Sequence, residues 1–172
     1  MKDLFIRNDM APTVSLLYSA VEENSLRLAS IVSHMTHSEL GRCQTKNSTA
    51  QLLHHIANVD IRWVWRINGN RIPNYIEQAY GPMTDQNGQL PEPKNQPGLD
   101  ELLKRHQHVV NELKSVCYTL TENDLHQPLS YDGDTATIRW GIWHMSDHSR
   151  YHQAHIESLK KEWKQDVAKY ER

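Results

Sequence analysis

The sequence predicts an all-α protein, a four-helix bundle with a long irregular connection between its second and third helices. Apolar residues recur at spacings of three and four in four long segments, which is the pattern of amphipathic helices. Neither an alternating strand pattern nor a fixed-period repeat is present. Five of the seven prolines and four of the seven glycines fall within residues 68–98, which predicts the irregular connection. A chain of 172 residues fits one domain, residues 1–172, with a real core.

The first helix is predicted over residues 11–35, with Pro12 in its first turn. Its core stripe is predicted to be Val14, Leu17, Tyr18, Val21, Ser25, Leu28, Val32 and Met35. Residues 36–46 then form a connector. The second helix begins near Asn47, Ser48 or Thr49, which all suit a helix N-cap, and ends at about Gly69. Its core stripe is predicted to be Leu52, Ile56, Val59, Trp63 and Ile67.

The connection over residues 68–98 is long enough to form a lid or to carry a short helix near residues 75–80. The third helix is predicted over residues 99–120, with a buried stripe of Leu102, Leu103, His106, Val109, Val110, Leu113, Val116 and Cys117. An Asp-Gly pair predicts a turn within residues 131–135. Thr137 is positioned to cap the fourth helix, which is predicted over residues 138–164.

The bulk properties exclude several classes of function. A formal net charge of −2 gives no basic surface for nucleic acid or for anionic lipid. No apolar run approaches the roughly 20 residues that span a bilayer, and the first residues lack the apolar core of a signal peptide, so a cytoplasmic protein is expected. Cys43 and Cys117 are far apart and outside any Cys-x-x-Cys motif, which argues against a disulfide framework and a zinc finger.

The strongest functional signal is a row of histidines on the fourth helix. His144, His148 and His152 recur at every fourth position and His155 follows, so the four rings fall within roughly 80° of one another. Neutral imidazole is a common transition-metal ligand, and a His-x-x-x-His pair on one helix turn can bind one ion. A straight helix offers one ion two such side chains at most. The spacing alone leaves open which pair binds.

The second helix can supply the remaining ligand, because facing helices of a bundle build metal sites between them. His54 and His55 are the candidates. On a helical wheel, His55 borders the apolar stripe at roughly 100° from its centre, whereas His54 lies nearly opposite the stripe. The wheel therefore predicts that His55 points inward and that His54 faces solvent.

Two segments about ninety residues apart, LLHHIANVD (52–60) and WHMSDHSRYHQ (143–153), resemble the DinB/YfiT-like superfamily of four-helix-bundle metalloenzymes. The resemblance spans nearly the whole chain and includes the long connection and the Asp-Gly turn. It implies a DinB-like fold, a homodimer, and metal ligands at His55, His148 and His152. Related proteins include thiol-dependent transferases and isomerases, so the resemblance also implies that chemistry.

Other polar and aromatic residues have two interpretations each. His144 and His155 either pack or support the ligands, and Asp60 and Asp147 either orient ligand rings or face solvent. A lone histidine on an apolar face, His106, is usually bonded to a neighbour. Trp140 and Trp143 are expected to pack in the core or an interface, with a pocket wall as the alternative. The histidines expected at the surface are His34, His37, His108 and His126.

Three neutral imidazoles leave a divalent ion with open positions, at which water or a thiol can be activated. The sequence therefore predicts a divalent-metal-dependent enzyme, either a thiol-dependent S-transferase or a hydrolase acting on a small molecule, with no catalytic residue assigned. Zinc or nickel is favoured, iron and copper also accept imidazole, and a low-molecular-weight thiol is a candidate cosubstrate. The alternatives are a non-catalytic metal-binding or stress-response bundle and a structural dimer whose histidines only hydrogen-bond.

Overall fold

A computed structural model describes residues 3–43 and 47–170 of the chain. Within these ranges the secondary structure comprises six α-helices, one 3₁₀ turn over Asp124–His126 and a two-stranded hairpin. The helices are α1 (Pro12–Val32), α2 (His37–Gly41), α3 (Thr49–Ile67), α4 (Asn74–Tyr80), α5 (Leu99–Cys117) and α6 (Ile138–Tyr170). The strands are β1 (Pro128–Tyr131) and β2 (Asp134–Thr137), which pair antiparallel.

The four long helices, α1, α3, α5 and α6, form the predicted bundle. Helix α3 packs between α5 and α6, and α1 packs against the same two helices from the other side. Each long helix therefore has two long neighbours, and the apolar stripes of all four meet in the middle. The predicted all-α bundle is confirmed.

Helix α3, which carries His55, begins at a strong local signal. The Ser48 hydroxyl accepts from the backbone N–H of Gln51 at 3.1 Å, and the Gln51 side chain accepts from the Ser48 backbone N–H at 2.7 Å. This capping box satisfies two of the N–H groups that a helix start leaves unpaired. Thr137 caps the start of α6 as predicted, because its hydroxyl accepts a hydrogen bond from the Trp140 backbone N–H at 3.2 Å.

Part of the connector predicted over residues 36–46 is helical. Thr36 and Glu39 form a second capping box that starts the short helix α2. Residues 44–46 of the predicted connector lie outside the described residues. Within the longer connection, the short helix expected near residues 75–80 is confirmed as α4.

Three boundaries differ from the prediction. Helix α1 ends at Val32 rather than at residue 35, α5 ends at Cys117 rather than at residue 120, and α6 continues to Tyr170 rather than stopping at residue 164. The added length of α6 is held by Arg42, whose guanidinium lies 2.6 Å from Asp166 and 4.7 Å from the centre of the Trp163 ring. A contact between distant parts of the chain therefore stabilises α6 beyond residue 164.

The predicted Asp-Gly turn is confirmed, but it joins strands that the sequence pattern did not predict. Asp132 and Gly133 take positive φ values of 48° and 86°, which a two-residue hairpin turn requires. Each strand is only four residues long: burial alternates along β1 but not along β2, and so short a run does not distinguish a strand from a loop in the sequence. The hairpin leads directly into α6 and packs Tyr131 against Trp63.

Close contact between α3 and α6 depends on Gly141. A Cβ atom at this position would lie 2.8 Å from Trp63 Cε3, which is closer than carbon atoms can approach. The absence of a side chain lets α6 pack onto the fully buried Trp63 ring. Among the described residues, no helix is both long and apolar enough to cross a membrane.

Candidate metal centre

Three histidines from two facing helices meet at one point. His55 projects from α3, and His148 and His152 project from consecutive turns of α6. The Nε2 atom of His148 lies 3.2 Å from Nε2 of His55 and 3.1 Å from Nε2 of His152. One nitrogen from each ring lies within 4.8 Å of both others. The structure therefore brings together the three side chains that the sequence suggests as ligands.

The donor set fits a transition-metal ion. Two imidazole nitrogens that each bind one ion at about 2.0–2.1 Å are themselves about 3 Å apart, which matches the observed separations. Three nitrogen lone pairs this close repel one another unless a proton or a cation lies between them. Because all three donors are imidazoles, the group suits zinc, nickel, copper or iron better than magnesium or calcium, which prefer oxygen.

The three rings are held in the neutral form that a metal ligand requires. Burial, together with the neighbouring imidazoles, lowers the pKa of His148 to about 3 and that of His152 to about 4. Burial also lowers the pKa of His55. The cluster therefore keeps its nitrogen lone pairs available at neutral pH.

The second nitrogen of each ring faces the protein. Nδ1 of His55, His148 and His152 is buried and forms no hydrogen bond with the described residues. Asp60 Oδ1 lies 3.9 Å from Nδ1 of His148.

Only one of the two carboxylates considered as ligand supports lies at the cluster. Asp60 is 6% exposed, and burial raises its pKa well above the ordinary carboxyl value. Asp147 is exposed on the outer side of α6. Of the two interpretations given for these carboxylates, a position beside a ligand ring therefore holds for Asp60, and exposure to solvent holds for Asp147.

His54 does not face solvent, and this prediction was wrong. The residue is only 6% exposed, and its Nδ1 lies 3.2 Å from the guanidinium of Arg105 on α5. Burial and the charge of Arg105 lower the pKa of this ring. The helical wheel assumed one buried face, whereas α3 has α5 on one side and α6 on another, with α2 and α4 also in contact.

The remaining histidines of α6 lie outside the cluster. The ring of His144 stacks on Trp140, with centroids 4.6 Å apart and planes inclined by 8°, and its edge meets Trp63. His155 is exposed and contacts Tyr151. Trp140 is half-buried in this aromatic group, whereas Trp143 is 46% exposed.

The other histidines are found where the sequence predicts them. His106 is buried, and its Nε2 lies 2.9 Å from the Leu53 carbonyl oxygen, so a neighbour satisfies it as expected. The four histidines predicted at the surface are all exposed, namely His34, His37, His108 and His126.

Two polar residues of α3, which sequence reasoning missed, hold the long connection beside the cluster. The Asn58 amide donates to the Tyr80 and Pro82 carbonyls at 3.1 and 3.0 Å. Arg62 donates to the Gly81 carbonyl at 2.8 Å. These bonds bring residues 80–82 of the long connection alongside His55. Nothing in the local sequence distinguishes these residues from other polar positions of a helix.

Comparison with known proteins finds two matches. The sequence pattern of the DinB superfamily matches residues 20–156, a range that contains all three clustered histidines. The chain is also 86% identical to the uncharacterized protein YkkA of Bacillus subtilis (strain 168), with 100% of both chains covered.

Proposed function

Because the chain belongs to the DinB superfamily, we propose that it is a divalent-metal-dependent enzyme whose ion is held by His55, His148 and His152. The reaction is a thiol-dependent S-transfer or a hydrolysis, and the substrate is a small molecule. The observation that carries the proposal is the convergence of three neutral Nε2 atoms at separations of 3.1 and 3.2 Å.

The number of ligands favours a catalytic site over a structural one. Structural zinc sites usually have four protein ligands, whereas catalytic sites have three and keep a position for water or substrate. Among the described residues, the group that could hold an ion contains three side chains, and no fourth histidine, cysteine or carboxylate joins it. Zinc and nickel are the proposed ions, because both bind readily to imidazole nitrogens.

A bound divalent ion supplies Lewis acidity, which lowers the pKa of a water or a thiol at its open position. The residues of the chain hold the three imidazoles neutral and keep the site away from bulk water. His148 has a side chain only 13% exposed, and the connection pinned by Asn58 runs beside His55.

S-transfer is the favoured reaction of the two. Among the described residues, no further histidine, cysteine or carboxylate is grouped with the three ligand nitrogens, so hydrolysis has no evident proton acceptor at the site. A thiolate attacks without a separate base once its proton has been lost to solvent. In the proposed reaction a carbon–sulfur bond forms, the bond to the leaving group breaks, and a low-molecular-weight thiol is the cosubstrate.

The first experiment is elemental analysis of tag-free protein purified without chelator. We expect about one equivalent of zinc or nickel per chain, and its loss in His55→Ala. His108→Ala, which removes an exposed histidine on α5, is the matched control and should keep the metal. A metal-free wild-type protein that also fails to bind zinc and nickel on reconstitution would refute the proposal.

Activity is tested next on the metal-loaded protein. Consumption of a small thiol with an activated aryl halide reports S-transfer, and release of nitrophenol from an ester reports hydrolysis. We expect the first reaction to depend on the three histidines. Activity that survives in His55→Ala would not come from this site.

A non-catalytic metal-binding bundle is the second candidate, and the low exposure of His148 and His152 favours it. Cobalt-loaded protein separates the two. A change in its visible spectrum when a small thiol is added indicates an open position, whereas an unchanged spectrum indicates a closed site. The homodimer and the cytoplasmic location expected from the sequence stay predictions.

A further inference from the structure

Asp60 is a buried carboxylate without a partner of its own. It is 6% exposed, and among the described residues no group donates a hydrogen bond to its Oδ1. The nearby cation on the same helix is engaged elsewhere, since Arg62 donates to Asn58 at 3.0 Å and to the Gly81 carbonyl at 2.8 Å. An unpaired carboxylate inside a protein is costly, so its presence calls for a compensating function.

The group that faces Asp60 is also without a partner. His148 Nδ1 is buried, forms no hydrogen bond, and lies 3.9 Å from Asp60 Oδ1. A shift of about 1 Å would bring the two atoms to hydrogen-bond distance. The other nitrogen of the same ring lies 3.2 Å from Nε2 of His55. Helix α3 therefore holds His148 from both sides, with residues five positions apart, or about 7.5 Å along the helix axis.

We propose that Asp60 is a positioning residue whose Oδ1 accepts a hydrogen bond from Nδ1–H of His148 and so turns the Nε2 lone pair of that ring toward His55 and His152. Neutral imidazole carries one proton on either nitrogen, and the acceptor beside Nδ1 selects the form that leaves Nε2 free to bind an ion. This inference rests on the proposed metal site and adds a fourth residue to it.

The first test is the zinc affinity of Asp60→Asn and Asp60→Leu, measured by competition with a chromophoric chelator. We expect both variants to bind zinc about 10–100-fold more weakly, which is the usual effect of losing a ligand-orienting group. Asp147→Asn removes an exposed carboxylate from the residue before His148 and should bind as tightly as wild type. Variants of Asp60 with unchanged zinc affinity would overturn the proposal.

Nitrogen-15 NMR of histidine-labelled, metal-free protein gives a readout that is independent of metal binding. We expect the proton of His148 on Nδ1 in wild type and on Nε2 in Asp60→Leu. The same protonated nitrogen in both proteins would overturn the proposal. If wild type binds neither zinc nor nickel, the proposed function fails, yet the NMR comparison still decides the role of Asp60.

Discussion

His55, His148 and His152 present the same nitrogen to one another while their second nitrogens face the protein interior. Burial and mutual repulsion favour the uncharged rings, and an uncharged imidazole has one lone pair to donate. His144 has the same sequence spacing from His148 as His152 has, but its ring is stacked flat on Trp140. At this scale, the contact partner of each ring distinguishes a proposed ligand from a packing residue.

Removal of either proposed ligand on α6 should abolish tight metal binding. We expect His148→Ala and His152→Ala to lose more affinity than the about 10–100-fold typical of an orienting group, because each removes a metal-donating nitrogen. His144→Ala is the matched control, one turn earlier on the same helix, and should retain the metal. Equilibrium dialysis followed by elemental analysis measures all three. Metal loss in His144→Ala alone would move the coordinating pair one turn along α6.

At the scale of secondary-structure elements, the site depends on how closely α3 and α6 pack. The two helices carry all three clustered histidines, and Gly141 lets them meet at Trp63. The adjoining hairpin adds Tyr131 to the same aromatic group, at 4.9 Å from Trp63. The distance between α3 and α6 is therefore set at Gly141, about two helical turns before His148.

Gly141→Ala should destabilise the protein although alanine is the better helix former. The propensity gain is about 1 kcal/mol, but the added Cβ would overlap the buried Trp63 ring, and overpacking of this kind costs about 1–3 kcal/mol. We expect a lower free energy of unfolding in urea and weaker zinc binding. Gly41→Ala, where no atom lies within 4 Å of the added Cβ, is the control and should be near neutral. Equal effects of the two substitutions would contradict this account of the helix contact.

For the whole molecule, buried neutral histidines link stability to pH. Burial lowers the pKa of His106 to about 4, that of His148 to about 3 and that of His152 to about 4, against an ordinary value of 6.5. Below pH 6.5 the unfolded chain binds protons that the folded chain excludes. The stability contributed by the neutral rings is therefore present above pH 6.5 and is lost as pH falls toward the folded pKa values.

The metal-free protein should accordingly lose stability between pH 7 and pH 5, by about 1–2 kcal/mol for each buried imidazole. Urea unfolding at several pH values measures this slope. His106→Leu should reduce the slope of the unfolding free energy against pH by the contribution of one proton. His108→Ala, at an exposed position, should leave that slope unchanged. A slope that His106→Leu does not alter would exclude that residue as a source of the pH dependence.

The bundle and most of the site were predictable because their signals are local. Helix periodicity, the Ser48 cap, the Asp-Gly turn and the four-residue spacing of His148 and His152 all depend on residues close in sequence. The family resemblance selected His148 and His152 among the four histidines of α6, and it agreed with the helical wheel on His55. The continuation of α6 beyond residue 164 was less predictable, since Asp166 in that stretch contacts the distant residue Arg42.

The sequence by itself determined the fold class, the long connection and the three histidines that are candidates for one ion. Only the tertiary structure decided that His54 is buried against α5, that Asp60 rather than Asp147 lies beside His148, and that Asn58 holds the connection. A wheel describes a helix with one buried face, whereas α3 is contacted by four other helices. Which polar side chains become buried partners is set by those neighbours, and their positions depend on the packing of the whole chain.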